Sequence, residues 1–173
     1  MAAQGQEAVS VIADERLRDG YAYWRRKAAG GKLPCRHDID PAEIPQLLPH
    51  VRLVDVVAPG RFRYRLVGSE AREHHLTNPT GRYVDEMLSP PAGPRVVALY
   101  DECVRERRPL YVEHEFVQPN GLRRRSRVLF TPLSENGTAV SQVLVFHVIA
   151  AAKGPPDLDL WAQPYRELVH APL

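Results

Sequence analysis

The chain has 173 residues, 44% of them hydrophobic and 25% charged, with 23 Lys and Arg against 21 Asp and Glu for a formal net charge of +2. That balance suits one globular domain with about forty residues left for arms, and it excludes a disordered chain. No apolar run approaches the roughly 20 residues of a spanning helix, and the N-terminus lacks the basic start and apolar stretch of a signal peptide. The two cysteines, Cys35 and Cys103, are too few for a disulfide framework. The expected compartment is the cytoplasm, and the small net charge gives no global attraction to nucleic acid or membrane.

Residues 10–29 carry Leu17, Tyr21 and Trp24 at helical spacing, with Arg16, Arg18, Arg25, Arg26 and Lys27 largely off that stripe. This predicts an amphipathic helix ended by Gly30 and Gly31, whose stripe must be covered by its own sheet or by a second copy. Asp40, Pro41 and Glu43 form a helix-start signature, with Ile39 placed to staple onto Ile44; Pro45 and Pro49 keep that helix short. Cys35 and His37 lack a second pair at ligand spacing and read as a connector. A strand is predicted over 51–58, then a turn at Pro59 and Gly60. A second strand follows over 61–67, with Phe62, Tyr64 and Leu66 inward and Arg61, Arg63 and Arg65 outward. Short helices follow over 70–75 and 83–88. His74 and His75 in the first would point about 100° apart, which does not suit one ion. The longest helix is predicted over 95–108, burying Val96, Leu99, Tyr100 and Cys103 and stopped by Pro109.

Residues 110–149 read as three antiparallel strands. Pro119, Asn120 and Gly121 suit a three-residue loop, which pairs Leu110 with Phe130, Val112 with Val128, Glu113 with Arg127 and Glu115 with Arg125. A two-residue loop would set Glu113 against Val128, so the charge and apolar patterns choose the register. Asn136 and Gly137 close the second hairpin most simply, pairing Ser126 with His147, Val128 with Val145 and Phe130 with Val143. One face of this unit is then apolar except for a row of His114, Ser126 and His147. Arg123, Arg124, Arg125 and Arg127 have the look of a nucleic-acid patch, but Glu115 and Glu113 claim two of them. After residue 150 the chain loosens into a tail with Leu158, Leu160, Trp161, Tyr165, Leu168 and Val169, apolar enough to dock.

Two strands, several short helices, one longer helix and three antiparallel strands is the order of a PAS domain. The chain resembles in particular a bacterial family of short stand-alone PAS proteins. The likeness rests on Trp24, on Leu33 and Pro34 with Asp38 to Pro41, on the strand from Phe62 to Gly68, on Thr80 to Arg82, and on Pro132 and Leu133. The resemblance implies an α+β fold: a five-stranded antiparallel sheet in order 2-1-5-4-3 with helices on one face, preceded by the amphipathic helix. The expected units are an N-terminal helical arm over 1–29, the PAS domain over 30–150 and a C-terminal tail over 151–173.

Proteins of this fold sense ligands, light or redox state, or act as docking modules. A flavin photosensor of this kind needs a reactive cysteine in the helices after the second strand, and a haem sensor commonly takes a histidine from the long helix. Residues 70–88 hold no cysteine and residues 95–108 no histidine, so both cofactors are disfavoured and the ligand stays unnamed. The expected function is a sensory or signalling module that binds a small ligand or protein partner and acts by contact, without catalytic or metal residues. The ligand-facing set is His114, Ser126 and His147, with Tyr64, Leu66, Leu99, Tyr100, Cys103, Phe116, Val128 and Phe130 as walls. In flavin-binding members, the positions of Ser126 and His147 are polar cofactor contacts. The alternative is a small enzyme or metal-binding protein using the row His114, Ser126 and His147. A homodimer through the N-terminal helix and the outer sheet face is expected, as are a protein signalling partner and no nucleic acid or membrane.

Overall fold

Helix α1 (Glu15–Lys27) starts where the Asp14 carboxylate accepts the Arg16 N–H at 3.0 Å, and it ends in two glycines with positive φ, Gly30 and Gly31. The cap explains why the helix begins later than the periodicity alone suggests. The computed structural model describes residues 10–73, 75, 77–88, 90, 92–118, 121–152 and 165–173. His74, Pro119 and Asn120, and the tail residues Leu158, Leu160 and Trp161, lie outside these. The helix expected at Asp40 is a single 3-10 turn, Pro41–Glu43, followed by another, Pro45–His50. Proline at both starts prevents a continuous α-helix.

The sheet is built from β1 (Val51–Ala58), β2 (Arg61–Val67), β3 (Leu110–Val117), β4 (Arg123–Leu133), β5 (Gln142–Ala151) and β6 (Tyr165–Pro172). Its spatial order is β2-β1-β5-β4-β3-β6. The five expected strands take the expected order. The sixth comes from the tail, which pairs antiparallel with β3 and covers the edge that β3 would otherwise present to solvent. Single-turn helices α2 (Ser69–Arg72) and α3 (Val84–Met87) and the longer α4 (Ala92–Glu106) cover one face. Helix α4 starts three residues ahead of the expected Arg95, with Pro94 in its first turn where no N–H is required.

The first hairpin has the predicted register: Leu110 faces Phe130, Glu113 faces Arg127 and Glu115 faces Arg125. Glu115 is 1% exposed and accepts from Arg125 at 2.6 Å and from Arg123 at 3.0 Å. Burial alone would raise its carboxyl pKa, but those hydrogen bonds outweigh it and hold Glu115 below the ordinary carboxylate range. Arg127 pairs with Glu113 at 3.2 Å, and Arg124 donates to Gln118 at 3.0 Å. The arginine cluster is thus tied to its own sheet.

The second hairpin differs from expectation. Val128 faces His147 and Phe130 faces Val145, so β5 is displaced by two residues. Asn136 does not close a two-residue turn. Its side-chain oxygen instead accepts from the Thr138 and Ala139 N–H groups, both at 3.0 Å, and the Ser134 N–H donates to the Pro34 carbonyl at 2.9 Å. A wider loop results. Because the displacement is even, every side chain keeps its face.

A second difference lies in β2. Leu53 pairs with Leu66 but Val54 pairs with Tyr64, so Arg65 is an extra residue. This bulge reverses the alternation beyond it. Leu66 turns away from the helices and is 48% exposed, and Val67 takes the inward place. Phe62 and Tyr64, ahead of the bulge, point inward as expected and are fully buried.

The opposite sheet face is covered within the same chain. Leu17, Tyr21 and Trp24 pack with Leu129, Leu144 and Phe146, and the Trp24 indole N–H donates to the Pro132 carbonyl at 2.9 Å. Fully burying side chains of this size contributes about 1.5–3 kcal/mol each. The close approach depends on Gly20: a Cβ there would lie 2.8 Å from the Phe146 ring. Two effects compete at this position. Alanine favours helix over glycine by about 1 kcal/mol, whereas overpacking a filled core costs about 1–3 kcal/mol. Gly20→Ala should therefore lower stability in urea unfolding. A rise would mean that α1 rides loosely on the sheet.

Candidate functional site

On the helix-covered face, the register brings one polar side chain from each of five adjacent strands into a diagonal seam. His114 on β3 is directly opposite Ser126 on β4, and Ser126 Oγ lies 2.6 Å from His147 Nε2 on β5. The row expected from the sequence is therefore assembled, by a diagonal contact rather than a direct pair. The structure extends it at both ends. On β1, Arg52 faces Val145, which places it diagonal to His147. On β6, Glu167 is opposite His114. Arg52, Ser126, His114 and His147 are all buried.

The remaining expected residues divide. Leu99, Tyr100, Cys103, Val128 and Phe130 are buried with Tyr64 in the core on this face. Phe62, Tyr100 and Phe130 form a continuous aromatic stack with centroid spacings of 5.0 Å. Phe116 is half-buried beside His114, at 6.0 Å between rings. Leu66 lies on the other face. There it joins Arg36, His37, Leu53 and Arg65 around an open recess of about 440 Å³.

Two members of the seam were missed in the sequence. Arg52 sits in a strand whose Val51, Leu53 and Val54 are apolar on both faces, so no alternation marks its direction. A cation at a position of a strand buried on both sides was the available signal. Glu167 belongs to a tail whose pairing partner cannot be read from its residues. It is held by Arg95 of α4 through three hydrogen bonds of 2.6–3.0 Å, and His170 on the same strand lies 2.8 Å from Glu102.

The electrostatics of the seam are those of a desolvated interior. Burial lowers the His114 pKa from 6.5 to about 4; Glu167 opposes the shift and Arg52 adds to it. Burial also raises the phenols of Tyr64 and Tyr100, against the pull of Arg52, and pushes up the Cys103 thiol. Near neutral pH, His114 is an uncharged donor and acceptor, the two phenols are donors, and Cys103 is an unreactive thiol. Among the described residues, no group of three or more His, Cys, Asp and Glu could hold a metal ion.

The His114 shift fixes the sign of a pH effect. Below about pH 6.5 the unfolded chain takes up a proton at this position that the folded chain refuses until about pH 4. Stability from this source is complete above 6.5 and is lost as the pH falls towards 4, by up to about 3 kcal/mol. Urea unfolding of the wild type and of His114→Asn across this range should show a shallower acid loss for the variant. Parallel curves would mean that His114 titrates normally.

No curated protein matches the chain. The family model described as PAS domain matches residues 13–146, from just before α1 to the middle of β5. The strand order, the helix-covered face and this match agree, and the chain belongs to the PAS-domain family.

Proposed function

We propose that this PAS domain is a sensory or signalling module whose helix-covered sheet face binds a small molecule and which acts through contact with a protein partner. PAS domains serve as sensory and signalling modules, but the fold alone does not select the ligand. The observation that carries the reading is the Ser126 and His147 pair, 2.6 Å apart beside His114 on a largely apolar face. Few polar groups at fixed positions within apolar walls are how small-molecule sites orient their ligands. The walls are Tyr64, Leu99, Tyr100, Val128 and Phe130. The same short contact between a hydroxyl and an imidazole supports a second reading, a small enzyme in which His147 serves as base for Ser126. Turnover separates the two.

The cytoplasm remains the compartment that suits this module, since Cys35 and Cys103 form no disulfide. Among the described residues no helix is long and apolar enough to cross a membrane. Homodimerisation through the outer sheet face takes the form of exchange of α1 between copies, because the stripe of Leu17, Tyr21 and Trp24 is already filled within one chain.

Native mass spectrometry of the protein purified from its own host is expected to show a retained compound. His147→Phe and Ser126→Ala should each keep the fold and lose that compound, at about tenfold or greater cost in affinity for a lost buried hydrogen bond. Retention unchanged in both variants would place the binding site elsewhere, and release of the compound in altered form would favour the enzyme.

A further inference from the structure

Among the described residues Arg52 has no counter-charge. It is 8% exposed, and among the described residues no carboxylate lies within ion-pairing distance and its Nε has no hydrogen-bond partner. Its bond from Nη2 to the Ala71 carbonyl is long, at 3.5 Å. A guanidinium cannot relieve its burial by losing a proton, and a charge withdrawn from water without a partner is strongly destabilising. By contrast, Arg95, Arg123, Arg125 and Arg127 each hold a carboxylate at 3.2 Å or less.

The register supplies the surroundings. Arg52 faces Val145 on β5 and Val67 on β2, and its diagonal neighbours on this face are His147 and Tyr64. Tyr64 is fully buried, and its hydroxyl also has no hydrogen-bond partner among the described residues. This corner of the helix-covered face therefore holds two kinds of donor, a guanidinium and a phenol, that lack acceptors among the described residues. The cover over this corner includes α2, a single helical turn too short to be stable by itself.

We propose that Arg52 anchors a small monocarboxylate with an apolar body, its planar fork taking the carboxylate oxygens, Tyr64 donating a further hydrogen bond, and the body lying among Leu99, Tyr100 and Phe130. The inference deepens the ligand-binding reading above and rests on it. Charge and shape select this class. Arg52 carries a permanent single positive charge with no carboxylate in reach among the described residues, so a monoanion balances it and a dianion does not. Two parallel N–H donors match a carboxylate. The aliphatic and aromatic walls match an apolar body and offer nothing to a bare inorganic anion.

The test uses the full-length protein and matched pairs of compounds: straight-chain carboxylates from butyrate to octanoate, and benzoate, each beside its primary amide, with inorganic phosphate as a further probe. At least one carboxylate should raise the unfolding temperature while its amide does not. Calorimetry should show binding of that carboxylate about 30-fold or more weaker in Arg52→Met. Without ligand, Arg52→Met should unfold at the same or a higher temperature, since it keeps an unbranched stem and removes the buried charge. Amides that match their acids, phosphate that alone produces the shift, or an affinity unmoved in Arg52→Met would each overturn the assignment. The acid and amide comparison on the wild type decides even if the variant does not fold. A neutral compound retained by the protein, with no carboxylate bound, would overturn the carboxylate and leave the ligand-binding reading standing. No retained compound and no binding would remove both.

Discussion

The fold depends on a sheet that is buried on both faces. Helix α1 and the 3-10 turns after it seal one side, and α2, α3 and α4 seal the other. Each buried strand residue must then be apolar or find its partners within the protein, because water is not there to supply them. On the α1 side the charged residues comply: Glu113 and Glu115 are matched by Arg127, Arg125 and Arg123 across the first hairpin. On the other side Arg52, His147, Ser126, His114 and Glu167 follow one diagonal across five adjacent strands.

The two ends of the seam differ. At the β6 end, Glu167 is neutralised by Arg95 of α4, and His170 bridges to Glu102 about two helical turns further along. At the β1 end, Arg52 has, among the described residues, the long bond to Ala71. One end is a closed ion pair that fastens β6 to α4; the other holds a charge with no counter-charge among the described residues. A ligand seated between them would touch the interior at Arg52 and His147 and meet, through His114 and Glu167, the strand that lies at the edge of the sheet. His114 is paired directly with Ser126 and with Glu167, which links the seam to β6 at one edge of the sheet.

Much of this was legible in the residues, for identifiable reasons. The first hairpin was readable because Glu113, Glu115, Arg125 and Arg127 leave one register in which charges meet charges. The second was misread because an Asn and Gly pair is a strong turn signal, whereas here the Asn136 side chain organises a wider loop. The error did no harm to the seam, since a displacement of two residues preserves the face. Leu66 was lost to a bulge at Arg65, which no alternation pattern can announce. Arg52 was hidden in a strand apolar on both sides, and Glu167 in a tail whose docking is a long-range event. The polar row was visible where local turns decided the pairing, and its two charged ends were not, because distant segments place them.

A crystal structure of the protein purified from its own host, without any step to strip bound compounds, tests the central claim most directly. A small molecule is expected on the helix-covered face, in contact with Arg52 and with Ser126 or His147. A compound found instead in the open recess of Arg36, His37 and Leu66, or a seam filled by protein side chains alone, would contradict it.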